Sequence, residues 1–114
     1  MEIRQLKYFA ALAKYQNFTK AAQELYISQP TLSQQISALE TSLGCSLFYR
    51  SKRMVALTAA GEALLPKAEQ LIEYYNQCLD ELDIYRTASK GSVNLSTLNH
   101  AETTFLFEFY IYFI

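Results

Sequence analysis

The sequence is short of the residues from which catalytic and metal sites are built. It has two cysteines and one histidine among 114 residues. Cys45 and Cys78 form no CxxC spacing and have no Cys/His cluster near them, so neither a zinc site nor a disulfide framework is indicated. The burial preference of cysteine predicts one of the two in the core and the other on a helix face. His100 has no candidate partner, and no Ser/His, Cys/His or paired-carboxylate arrangement is set up. Only three glycines occur, and none forms a phosphate-cradling loop. These absences argue against an enzyme, a cofactor or a bound metal. Long apolar runs are missing too. The apolar tail at 105–114 is broken by Glu108 and falls well short of the ~20 residues that span a bilayer. Arg4 and Lys7 sit inside an amphipathic pattern, not ahead of an apolar run, so no signal peptide opens the chain. A cytoplasmic protein without membrane contact is expected. Charge is scarce at 18%, so Gln, Ser and Thr must supply much of the surface.

What is present is a hydrophobic half, 51% of the residues, enough for one ordered domain. The net charge of −1 is unevenly spread. Residues 1–57 carry seven basic and three acidic groups, whereas residues 58–86 carry two basic and six acidic ones. A basic segment followed by an acidic one marks a mild electrostatic footprint on the first part.

Helical periodicity opens the chain. Ile3, Leu6, Phe9, Ala10 and Ala13 recur on one face as far as Gln16, and Tyr8, Leu12 and Tyr15 form a second strip. The second strip calls for a further partner surface. Thr19 is a suitable N-cap for a short helix through Leu25, with Ala21 and Ala22 small enough for close helix approach. Tyr26 and Ile27 leave room only for an abrupt link. Ser28 then caps a third helix, with Pro30 tolerated in its first turn and Gly44 ending it. Leu32, Ile36, Leu39 and Leu43 make one apolar stripe. Pro30, Ser33, Gln34, Ser37 and Thr41 lie on or near the opposite face, which is polar and carries no acid. An ordinary solvated helix face would carry Lys and Glu pairs.

Residues 47–57 read as two short strands around a turn at Ser51–Arg53, with Arg50, Lys52 and Arg53 at or beside the tip. Thr58 caps a long helix to about Arg86, in which Pro66 should introduce a kink. Leu64, Ala68, Leu71, Tyr75, Cys78, Leu82 and Tyr85 alternate steps of four and three, a heptad seam widened by Leu65, Ile72 and Leu79. At 1.5 Å per residue the helix would run roughly 43 Å, too long for so small a domain to cover. A dimer through Leu64, Ala68, Leu71, Ile72, Tyr75, Cys78, Leu79 and Leu82 is therefore expected. Heptads alone leave the orientation of the pair open. Ser89–Ser92 has linker composition, and Val93, Leu95 and Thr97 can begin a strand.

The expected architecture is mainly α, a winged helix-turn-helix of three helices and a two-stranded wing over residues 1–57. A dimerisation helix follows over 58–88, and a hinge and remnant over 89–114. Such a module presents its second motif helix to the major groove of double-stranded DNA and braces the phosphates with the first, which is where Thr19 and Lys20 lie. Gln29 and Gln34 can bond base edges, adenine being the favoured partner. Ser28, Thr31, Ser33 and Ser37 can reach bases or phosphates, and Pro30 can meet a thymine methyl. Arg50, Lys52 and Arg53 would place a wing over the flanking backbone or minor groove. Plain solvation is the expectation for Lys7 and Lys14. A charged hairpin tip that merely keeps an edge strand soluble is the bland alternative for the wing cations.

Residues 1–92 resemble the N-terminal half of a LysR-type transcriptional regulator. The matching stretches are LKYFAALAKYQNFTKAAQEL, ISQPTLSQQISALETSLGCSLFYR and VALTAAGEALL, with GSVNL after the long helix. The resemblance implies DNA contacts from Gln29, Pro30, Thr31, Ser33 and Gln34, with Arg50 and Arg53 on the wing. It also implies an antiparallel pair of linker helices and a C-terminal effector-binding domain. Positions 34 and 37, often Arg in that family, are Gln and Ser here. The sequence stops soon after the linker, so a truncated regulator is expected, one without a small-molecule effector response. An interaction module that heterodimerises through the linker helix and acts as a dominant negative is the competing expectation.

Overall fold

A computed structural model of the chain describes residues 1–51 and 54–90, with side chains placed through Arg86. The described residues fall into two units, Met1–Glu73 and the part of Tyr74–Ile114 that precedes residue 91.

The first unit is organised around α1, Ile3–Tyr15. The Glu2 N–H donates to Gln5 Oε1 at 3.1 Å, satisfying a backbone donor at the start. Gln16, in the left-handed conformation at φ 55°, ends the helix by returning its N–H to the Leu12 carbonyl. Leu6, Tyr8, Phe9 and Leu12 are all buried, so both strips read from the sequence are used. The reason is that α1 touches α2, α3 and the wing strand β2, and the second strip finds its partner within the unit. Burial pushes the Tyr8 phenol above its usual pKa, and the nearby Arg4 guanidinium pulls it partly back.

Helix α2, Phe18–Leu25, begins two residues earlier than the expected cap allows. The cap is Asn17, whose side-chain oxygen accepts from the Lys20 N–H at 2.8 Å, and not Thr19. Both residue types cap well, and the chain takes the one that leaves Phe18 as the first helical residue. Ala21 and Ala22 are buried, which lets α1 and α3 approach closely. Tyr26 ends α2 at φ 58°, and Ile27 N–H returns to the Ala22 carbonyl at 3.0 Å. The link between α2 and α3 is as abrupt as its sequence suggests.

Helix α3, Gln29–Leu43, has Ser28 as its cap, the Thr31 N–H donating to Ser28 Oγ at 3.2 Å. Leu32, Ile36 and Leu39 have no exposed surface, while Leu43 lies at the rim at 38%. Gly44 adopts φ 74° and donates to the carbonyls of Glu40 and Thr41, the left-handed ending that favours glycine. Cys45 follows and is exposed, contrary to the expected burial of one cysteine, because it lies just past this helix end.

The wing consists of β1, Phe48–Arg50, and β2, Val55–Leu57, antiparallel with Tyr49 opposite Ala56. Ser51 N–H meets the Met54 carbonyl at 3.0 Å and closes the turn without glycine. Phe48 packs its ring 5.4 Å from that of Phe9, fixing the base of the wing to α1. Lys52 and Arg53 lie outside the described residues.

Helix α4, Ala59–Lys90, continues through Pro66 as one helical element. Thr58 is buried and works in both directions: Oγ1 accepts from the Gly61 N–H at 3.1 Å and donates to the Ser46 carbonyl at 2.6 Å. Ala68 has no exposed surface in the first unit. In the second unit Tyr74, Leu82, Ile84 and Tyr85 each expose more than half of their surface. No described helix is long and apolar enough to cross a membrane. The expected strand at Val93–Thr97, His100 and the aromatic tail lie outside the described residues.

Candidate nucleic-acid interface

The outer face of α3 follows from the burial of its inner one. With Leu32, Ile36 and Leu39 turned into the core, Gln29, Pro30, Thr31 and Gln34 are exposed, and Ser33 and Ser37 are half-buried at the edge. From Gln29 to Leu39 no side chain is charged, so nothing on this face repels a phosphate. Side-chain amides and hydroxyls both donate and accept, which suits base edges.

The hydroxyls at the start of α3 are held in place. Ser28 Oγ and Thr31 Oγ1 lie 2.7 Å apart, so both belong to the cap. Thr19 Oγ1 donates to Gln29 Oε1 at 3.1 Å, a bridge from the first turn of α2 to the first turn of α3. This bond occupies one lone pair of the Gln29 oxygen, on a side chain that is otherwise exposed. Lys20 and Lys14 flank the Tyr15 ring at 5.7 and 5.2 Å. Lys20 and Thr19 stand at the exposed start of α2.

Arg50 differs from the free wing cation that its position suggested. Its guanidinium donates to Glu40 Oε1 at 2.8 Å and lies 5.6 Å from the centre of the Phe18 ring. Glu40, in the last turn of α3, also accepts through Oε2 from the Leu47 N–H at 2.7 Å, the Phe48 N–H at 3.3 Å and Ser46 Oγ at 3.2 Å. Sequence reasoning did not single out Glu40, Ser46 or Phe18. The one available signal was that Glu40 is the lone acid of α3 and needs a cation.

The seam residues of α4 divide by unit. In the first, Leu64 and Ile72 are half-buried and Leu71 is 46% exposed. Ala68 has no exposed surface in a single chain, so it has none to offer a second one, a correction to its place in the seam. In the second unit Tyr75 and Leu79 are half-buried, and Cys78 and Leu82 are exposed.

Three helices, a two-stranded wing and an uncharged exposed face on the third helix define a winged helix-turn-helix module. Residues 3–62 match the family described as bacterial regulatory helix-turn-helix protein, lysR family. The chain belongs to that family, whose members are regulators and not enzymes. It is 56% identical over 72 residues to the HTH-type transcriptional regulator TfdT of Cupriavidus pinatubonensis, covering 63% of this chain and 32% of that protein. It is 53% identical over 73 residues to the Hca operon transcriptional activator HcaR of Escherichia coli, covering 64% and 25%. The chain thus spans about a third or less of the length of these relatives. Among solved structures, the DNA-binding domain of CbnR in complex with DNA matches with a TM-score of 0.70 and 44% identity over 78% of this chain and 99% of that one. The BenM DNA-binding domain on its catB site 1 DNA matches at 0.72 and 39%, over 76% and 98%.

Proposed function

We propose that this chain is a cytoplasmic transcription regulator that binds a palindromic duplex as a homodimer. The observation that carries the reading is the exposed, charge-free face of α3, held out of the fold by its buried leucine stripe. Gln34 reads a base edge in the major groove, and Gln29 offers amide donors to a base acceptor. Pro30 meets a thymine methyl, while Thr31, Ser33 and Ser37 reach bases or phosphates. Ser28, Thr19 and Lys20 contact the backbone at the helix starts. Lys52 and Arg53 contact the flanking backbone or minor groove. Two copies pair through Leu64, Leu71, Ile72, Tyr75, Cys78, Leu79 and Leu82, the division at residues 57 and 88 separating reading head, pairing helix and remainder. The chain acts without a small-molecule inducer response.

Selection of the purified protein on randomised duplexes tests this. The selected site should be palindromic, with affinity falling steeply as salt rises through counterion release. On that site Gln34→Ala should cost about 1–3 kcal/mol and relax preference at one base position. An equal loss on every sequence would remove Gln34 from base reading. The exposed apolar side chains of α4 favour a second reading, in which the chain pairs with a longer relative and disables it. A heterodimer that forms readily but binds no duplex at low salt would establish that reading instead.

A further inference from the structure

A two-stranded wing with three residues per strand cannot hold its own direction. Isolated hairpins of this size are marginal in water, so the wing points where its base is anchored. The anchor on the recognition-helix side is a single carboxylate. Glu40 accepts four hydrogen bonds: three from residues 46–48, which lead into and begin β1, and one from Arg50 at the far end of that strand. Its side chain is only 15% exposed, so these bonds compete with little water. Arg50 is held from its other side by the Phe18 ring, the first residue of α2. One acid thus ties the end of α3, the whole of β1 and the start of α2 into one rigid arrangement.

We propose that Glu40 is the positioning residue of DNA binding: through Arg50 and the β1 amides it fixes the wing relative to the recognition helix. This rests on the DNA-binding reading above. Glu40 does not touch DNA itself. Arg50 serves as a brace, and the phosphates beside the site are met by the cations that follow it in the chain, Lys52 and Arg53. The base reading by α3 does not depend on this link, because Leu32, Ile36 and Leu39 hold the helix independently.

The test is a double-mutant cycle on duplex affinity with the full 114-residue chain. Glu40→Gln keeps an acceptor for the Leu47 and Phe48 amides, so the fold survives, while its amide nitrogen can no longer pair with Arg50. Arg50→Ala removes the other partner. Each single variant should lose about tenfold in affinity on the selected duplex, and the double variant should lose no more than either alone, because the two act as a unit. The salt dependence should flatten by about one phosphate contact, roughly 0.9 in slope, in all three. The base preference at the Gln34 position should stay as in the wild type. Glu40→Asp, which restores charge at shorter reach, should recover part of the loss. Losses that multiply in the double variant would overturn the proposal. So would a lowered melting temperature with unchanged affinity and salt slope, since that marks a residue that only stabilises the fold. A wild-type chain that binds no duplex would instead refute the DNA-binding reading, before any variant is compared.

Discussion

Gly61 offers the sharpest test of how α4 is fastened to the reading head. Helix propensity alone predicts that Gly61→Ala stabilises the chain, by up to ~1 kcal/mol at a helical position. The structure predicts the reverse. A Cβ at Gly61 would lie 2.2 Å from the Leu47 carbonyl oxygen, 2.8 Å from Leu57 Cδ2 and 3.2 Å from the Leu47 carbonyl carbon. The leucine methyl can rotate away. The carbonyl cannot, because it is backbone and already accepts from the Thr58 N–H at 3.0 Å. Relief therefore requires the first turn of α4 to move off residues 46 and 47 by about an ångström. That movement strains the Thr58 N–H bond to Leu47 and the Thr58 hydroxyl bond to Ser46. Two weakened hydrogen bonds cost about 1 kcal/mol each. Overpacking adds about 1–3 kcal/mol. Set against the propensity gain, a net loss of about 2–4 kcal/mol follows, which for a domain of this size lowers Tm by at least roughly 10 °C. Thermal melting followed by far-ultraviolet circular dichroism reads it directly. Gly44→Ala is the control. No atom lies within 4 Å of a Cβ there, so its cost is left-handed backbone strain alone, about 1 kcal/mol. A Gly61→Ala variant that melts at or above the wild-type temperature would refute the close-approach argument.

Three further outcomes are expected. Tyr26 holds φ 58° with its side chain 95% exposed, so Tyr26→Gly relieves strain without losing packing. It should stabilise the chain by about 0.5 kcal/mol after the entropy of glycine is set against the relief, and a lower Tm would count against it. Burial raises the Tyr8 pKa above its ordinary value of 10.0, against a smaller opposing effect of Arg4, so the folded state holds that proton more tightly than the unfolded chain. Stability from this group is then fully present below pH 10 and is lost as pH rises through the raised folded value. Urea melts from pH 8 upward should show that decline in the wild type, and the same slope in Tyr8→Phe would show that another group causes it. In α4, Leu82→Asp should drive a dimer to monomer in sedimentation, without loss of monomer stability, because Leu82 is 54% exposed. Ala68→Leu should instead destabilise the reading head by overpacking, and a dimer indifferent to Leu82→Asp would place the pairing surface elsewhere.

The parts of the molecule visible in the sequence are those set by neighbours in the chain. Ser28, Gly44 and Thr58 announce helix ends because capping is a local exchange between a side chain and a backbone group three or four residues away. The leucine stripe of α3 is equally local, and its uncharged reverse face followed from it by geometry. Where two local signals competed, the outcome was decided at a distance. Asn17 and Thr19 both cap well, yet Phe18 stands where it meets the guanidinium of Arg50 from the wing. Arg50 itself looked like a surface cation, since a partner ten residues away on another element leaves no periodic trace. Ala68 shows the same limit in α4. A heptad records only that a face is apolar, and a residue covered by its own domain leaves the same spacing as one awaiting a second chain. The pairing surface is therefore better read from which seam positions a single chain leaves uncovered. By that measure Leu64, Leu71, Ile72, Tyr75, Cys78, Leu79 and Leu82 remain candidates and Ala68 does not.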